Sequence, residues 1–168
     1  MANSLCEVLV TDGRLEAPEE NFDRQAGAIV DFWGVVRPFE NEREIDGIEY
    51  EAHPTMAKHQ LRLITQHAAE KFPLKNVIIR HRVGFVRAGE ASLFLRVEAG
   101  HRGDAFVASE WIVDELKKKV PIWKKPLFVR PTCHPERSAA ESKDPAKVSL
   151  KLTPRDPSTG LGITKAVK

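Results

Sequence analysis

Between residues 26 and 119 the hydrophobic positions switch between a period of two and a period near 3.6, outlining strands and helices in turn. Ala26 to Val36 is an apolar, β-branched run carrying Phe32 and Trp33, broken by Gly34 and closed by Arg37-Pro38. This predicts a buried strand entering a loop. After the charged stretch Glu40 to Glu44, alternate residues of Ile45 to Glu51 are apolar or ring-bearing, the mark of a half-buried strand. His53-Pro54-Thr55 opens a helix to about Lys71, on which Met56, Leu63, Ile64, Ala68 and Phe72 recur near helical spacing. Asn76 to Val83 predicts a strand, Gly84 to Gly89 a loop, and Ser92 to Glu98 another strand. A second helix is expected from Gly103 to about Lys119, with Ala105, Ser109, Ile112, Val113 and Leu116 on one face. Two strand-helix-strand alternations imply an α/β or α+β sandwich with helices laid on a sheet.

The two ends read differently. Residues 1 to 25 are acidic and mixed, with weak strand potential at Cys6 to Val10. From Pro126 onward the pattern decays, and Arg130 to Lys168 spreads five prolines among Ser, Lys, Asp and Thr. Such a segment is not expected to form a core of its own. Within it, Cys133-His134-Pro135-Glu136-Arg137-Ser138 resembles translated bacterial intergenic repeats. A chain of 168 residues with 42% hydrophobic content has room for one sizeable core. The expected organisation is therefore one domain over residues 1–125 and a poorly ordered tail over 126–168.

Charge narrows the function classes. With 26 basic and 24 acidic residues the net charge is only +2, so no global field recruits nucleic acid or a membrane surface. Any cationic site must be local. The two cysteines, Cys6 and Cys133, show neither CxxC nor Cys/His ligand spacing, which argues against a disulfide scaffold or a structural zinc site. There is no apolar run long enough to span a bilayer, and Met1-Ala2-Asn3-Ser4 lacks the features of a secretory signal. Cytoplasmic residence is the expectation.

The densest candidate chemistry lies in Leu116-Lys117-Lys118-Lys119-Val120-Pro121-Ile122-Trp123-Lys124-Lys125, five lysines around a helix stop. Amines forced together repel, so one sheds its proton more readily and can serve as base or nucleophile. Alternatively, the lysines are a solvated helix end complementing the dipole. A buried turn containing Trp123 would fix their directions and favour the first reading. Gly100-His101-Arg102-Gly103 precedes the second helix, where unpaired N–H groups plus His101 and Arg102 would complete an anion site. Equally, His101 could be a strand-end residue and Arg102 a surface cation. Arg37, held by Pro38 at a strand end, can fork onto a phosphate or carboxylate, or bind a loop carbonyl or Glu40. His81 reads as a packed, hydrogen-bonded ring, and His53, His59 and His67 as structural or solvated. No spacing suggests a metal site. Arg102 and Lys117 flank one helix, and fifteen residues at helical rise separate them by roughly 22 Å. They cannot both touch one small anion within a single chain. If they share a ligand, two copies must pack as a symmetric homodimer with composite sites.

At these residues the chain resembles the large, catalytic subunit of molybdopterin synthase. Gly27 to Arg37 is similar to that family's first core strand and arginine. Ile48-Glu49-Tyr50-Glu51-Ala52-His53 followed by Met56-Ala57 matches its LEYEAY and MA pattern. His81-Arg82-Val83-Gly84, Gly89-Glu90-Ala91-Ser92, His101-Arg102, and Leu116-Lys117 through Trp123-Lys124-Lys125 continue in the same order, so the match covers about residues 25–125. The chain departs from the family at Pro38 to Arg43, which is more charged and lacks a glycine. It also departs at Ala99-Gly100, where small hydroxyl residues are usual, and at Pro126, where an acid is common.

The resemblance implies an α/β hammerhead fold with a small additional antiparallel β-subdomain, assembled as a central homodimer within a heterotetramer. A ubiquitin-like sulfur-carrier small subunit would bind each end and insert a Gly-Gly thiocarboxylate. Sulfur would pass to cyclic pyranopterin monophosphate to form the molybdopterin dithiolene, with no cofactor or metal. By matching motifs, Lys117 and Lys124 would be catalytic. Arg37, His101 and Arg102 would join them in binding substrate, the last two from the partner subunit. Residue chemistry alone also admits a non-catalytic phosphate- or nucleotide-binding dimeric module, or a structural dimerisation protein with solvated lysines.

Overall fold

The computed structural model describes residues 5–130, so expectations about the segment beyond Arg130 lie outside the described residues. In chain order the elements are β1 (Leu5–Thr11), β2 (Ala28–Val35), β3 (Phe39–Glu40), β4 (Arg43–Ala52), α1 (Pro54–Lys71), β5 (Leu74–Arg82), β6 (Gly84–Arg87), β7 (Ala91–Ala99), α2 (Arg102–Lys119) and β8 (Ile122–Phe128). One sheet has the order β1-β5-β7-β2, with β1 and β5 parallel and the other pairs antiparallel. In a second, smaller sheet β4 pairs antiparallel with β3, β6 and β8. Among the described residues the architecture is α+β, two helices and two sheets.

Strand β7 is buried along nearly its whole length because both of its faces are covered. Leu93, Leu95, Val97 and Ala99 point to the helices, where they meet Leu61, Ile64 and Ala68 of α1 and Ala105, Ala108, Ile112 and Leu116 of α2. Phe94, Arg96 and Glu98 point the other way. Phe94 packs with Leu15 and Ile78, and its full burial contributes roughly 1.5–3 kcal/mol. The two buried charges on that face are both satisfied. Arg96 donates through Nε and Nη2 to the two oxygens of Asp31, each at 2.7 Å, and this fork holds the guanidinium pKa above its ordinary value. Glu98 accepts from the Asp23 backbone N–H and from Asn76 Nδ2, both at 3.0 Å.

Helix α1 begins at His53, whose Nδ1 accepts the Met56 N–H at 3.4 Å, with Pro54 in the first turn. Its buried face is Ala57, Leu61, Ile64, Thr65 and Ala68, whereas Met56 is exposed. The face expected for α2 is buried as its spacing predicts.

Three local expectations are corrected. The strand ending before Arg37 is not buried. As the sheet's edge, β2 leaves Ile29, Phe32, Trp33 and Val35 exposed. Residues 84–87, read as loop between two glycines, pair with Gly47–Tyr50 of β4 as strand β6. That pairing needs Gly47, where a Cβ would stand 2.3 Å from the Val86 carbonyl oxygen. Finally, the Trp123 turn is not a buried anchor. Trp123 is 62% exposed on β8, and the chain is fixed after α2 by Val120, buried in the main core, with Ile122 packed against it.

Candidate active site

The C-terminal end of α2, the strand β2 edge and the face of the small sheet enclose a cavity of about 510 Å³. Its apolar wall includes Phe32, Val35, Val36, Ile48, Leu93 and Ile122. Arg37, Lys117 and Lys124 bring three cations to it from the loop after β2, the last turn of α2 and the middle of β8. This is a volume suited to a small ring-bearing ligand, mostly apolar with a few convergent polar groups.

The local sequence explains why these groups converge. Val120 closes α2, its N–H bonding to the Leu116 carbonyl oxygen, and Pro121 lets the chain turn back as β8. Strand β8 pairs with β4 in a register that sets Lys124 opposite Tyr50, so both line the cavity. Arg37 is placed by Val36, buried in the small core with Ile45, Ile48 and Val86, and by bonds linking Val36 to Glu90 and Gly89.

The five lysines separate by role. Lys118 and Lys119 both engage Glu115 one turn back, and Lys119 lowers that carboxyl's pKa through its hydrogen bond. Lys125 lies outside the cavity's lining. Lys117 faces the cavity with no ion-pair partner among the described residues. Lys124 Nζ donates to Glu40 Oε1 at 3.0 Å, and this bond, aided by Lys124 and Arg37 charge, holds Glu40 below the usual carboxylate range. Repulsion among five crowded amines is therefore not the organising principle. Topology selects two of them.

The chain matches the family model described as MoaE protein over residues 10–119. The chain belongs to the MoaE protein family. Among curated relatives it is 43% identical over 113 residues to the molybdopterin synthase catalytic subunit of Neosartorya fischeri, covering 67% of this chain and 60% of that one. It is 41% identical over 99 residues to the protein of the same name from Pyrococcus abyssi, covering 59% of this chain and 67% of that one. The solved structure of molybdopterin synthase from Staphylococcus aureus superposes with a TM-score of 0.64 at 29% identity, over 73% of this chain and 90% of that chain. The present chain thus spans under two thirds of the length of the first of these curated relatives.

Of the residues singled out from sequence, this MoaE-family chain gathers Arg37, Lys117 and Lys124 in one cavity. His101 and Arg102 are exposed at the opposite end of α2, with His101 at its N-cap position and Arg102 its first residue. Neither lines the cavity. Arg102 and Lys117 both lie on α2, and fifteen residues at helical rise correspond to roughly 22 Å along the axis. His53, His59 and His67 are exposed on or beside α1. Among the described residues no group of three metal-ligating side chains occurs, and no helix is long and apolar enough to cross a membrane.

Sequence reasoning missed four polar members of the site, among them Ser92, whose hydroxyl donates to the Gly34 carbonyl oxygen at 3.3 Å. Glu40 entered the sequence reading as an acidic neighbour of Arg37 in a charged loop, and Tyr50 as part of a strand pattern and a family motif, neither as a site residue. His81, read as a packed ring, is indeed buried, but it also lines the cavity, with its ring edge-on to Tyr50 at 5.6 Å between centroids. Its Nδ1–H donates to the Arg82 carbonyl oxygen at 2.8 Å, which assigns the tautomer when the ring is neutral. Burial lowers the His81 pKa from its ordinary 6.5, outweighing the opposing effect of that backbone bond. Between the folded and unfolded pKa values the unfolded chain binds the extra proton, so stability rises with pH there. The contribution is present above about 6.5 and is lost as pH falls below it toward the folded value. Thermal melts from neutral to mildly acidic pH are expected to show falling Tm in that window. The slope is expected to flatten in His81→Gln, and an unchanged slope would contradict the assignment.

Proposed function

We propose that this chain is the catalytic subunit of a molybdopterin synthase. It transfers sulfur from the C-terminal thiocarboxylate of a small ubiquitin-like carrier subunit to cyclic pyranopterin monophosphate, forming the molybdopterin dithiolene. Family membership supports this reading. The observation that carries it is the convergence of Arg37, Lys117 and Lys124 from three separate elements on one cavity of ring-accommodating size.

Each residue has a role that its chemistry can fill. Arg37 offers a planar fork to the phosphate. Lys117 acts as general acid/base, or as an amine nucleophile that attacks the acyl carbon once its sulfur is bonded to the substrate, breaking the carbon–sulfur bond, after which water hydrolyses the transient amide to free the lysine and the carrier carboxylate. Lys124 stabilises negative charge while sulfur departs and the carrier is left as a carboxylate. The roles of the two lysines are exchangeable on present geometry. No cysteine is needed, because the sulfur arrives on the carrier. His101 and Arg102 reach the substrate from the second subunit of a homodimer, and two carriers complete a heterotetramer. The cytoplasm is the expected compartment.

The decisive experiment supplies the chain with a thiocarboxylated carrier and cyclic pyranopterin monophosphate and detects the dithiolene product. Product formation that depends on both the chain and the carrier is expected. No product with any competent carrier would overturn the assignment.

A further inference from the structure

Glu40 is the one carboxylate among the residues lining the cavity. It belongs to β3, a two-residue strand joined to β4 by Asn41 and Glu42, both at positive φ (51° and 64°). Two consecutive left-handed residues make the tight turn that matches strand twist, and neither is a glycine. The hairpin therefore presents Glu40 from a fixed position. Its side chain is 20% exposed against 59% for Lys124, so the acid is the more sheltered partner of the pair. Lys124 and, more weakly, Arg37 keep the Glu40 carboxylate ionised well below neutral pH.

With Arg37, Lys117 and Lys124 as the cations, one of three is already engaged by an internal anion. We propose that Glu40 is a positioning residue that competes with incoming anions for Lys124. It occupies the ammonium in the empty cavity and is displaced when a phosphate or thiocarboxylate arrives. The proposal rests on the anion-binding part of the function above, and not on sulfur transfer. Its chemistry is exchange of ion-pair partners: Lys124 keeps its charge, no covalent bond changes, and the freed carboxylate turns to water. Exposed pairs of this kind contribute modestly, so the competition sets affinity rather than blocking the site.

Inorganic phosphate is the probe, titrated calorimetrically into the full chain at low ionic strength. Glu40→Gln is expected to bind phosphate about three- to fivefold more tightly than the wild type, the upper part of what an exposed pair permits. Glu40→Asp, which keeps the charge but shortens the reach, is expected to fall between them. The readout that a merely structural role would not move is the coupling to Lys124. In a Lys124→Ala background, Glu40→Gln is expected to change phosphate affinity by less than about twofold. Equal affinities for wild type and Glu40→Gln would overturn the proposal, as would the same gain with Lys124 absent. Phosphate binding by neither protein would overturn it together with the anion pocket. A Glu40 effect in a protein that makes no dithiolene would support this proposal while removing the proposed reaction. Carrier-dependent product with no Glu40 effect would do the opposite.

Discussion

Lys117→Ala is expected to reduce carrier-dependent dithiolene formation by about two to three orders of magnitude, the usual cost of removing one preorganised charge from a reacting centre. The size follows from where the residue stands. Lys117 faces the cavity at the end of α2 with no ion-pair partner among the described residues, so its ammonium is available to a ligand rather than committed to the fold. Its neighbours provide the internal control. Lys118 and Lys119 share Glu115 on the outer side of the same turn, and Lys118→Ala is expected to leave turnover within about twofold. Stability should hardly separate the two variants, because both positions are exposed and each contributes only a few tenths of a kcal/mol through the helix dipole. Single-turnover kinetics with saturating carrier would measure the effect. Wild-type turnover by Lys117→Ala, or an equal loss in Lys118→Ala, would remove Lys117 from the chemistry.

That contrast marks where local pattern stops being informative. The α2 stripe was readable because Ala105, Ser109, Ile112, Val113 and Leu116 repeat at the helical period and are all buried, the four apolar ones in the main core. Arg37 and the lysine-rich helix end were readable as concentrations of charge at element boundaries. What periodicity cannot encode is a pairing across a long sequence separation. Glu40 and Lys124 are 84 residues apart, on different strands of the small sheet, and meet only in the folded chain. The strand β8 was itself hard to see, since its alternation places lysines and an exposed Trp123 where a buried pattern would show apolar residues. Strand β6 was missed for a related reason. Four residues between glycines look like a turn, and their pairing with β4 ends at Gly47, whose lack of a side chain lets the backbone close in. The edge position of β2 likewise reverses the meaning of its hydrophobic run: the same residues that would fill a central strand are here partly open.

The other large effect is expected from mixing two inactive proteins. Arg102→Ala and Lys117→Ala chains, each defective alone, should recover about a quarter of wild-type activity when refolded together in equal amounts. Random pairing makes half the dimers mixed, and each mixed dimer then holds one intact site of two. The expectation follows from helix geometry. Arg102 begins α2 and Lys117 lies in its last turn, so a straight helix keeps them roughly 22 Å apart in every copy of the chain. Arg102 also stands outside the cavity that Arg37, Lys117 and Lys124 line. A single small substrate touched by both residues must therefore draw them from different chains. The informative control is the pair Lys117→Ala with Lys124→Ala. Those residues share one cavity within one chain, so every site in a mixed dimer of that pair still lacks a lysine and no recovery is expected. Copurification through a tag on one variant would verify that mixed dimers form. Mixed dimers with no recovered activity, or equal recovery by the two-lysine pair, would place Arg102 outside the composite site and leave the reaction to a single chain's residues.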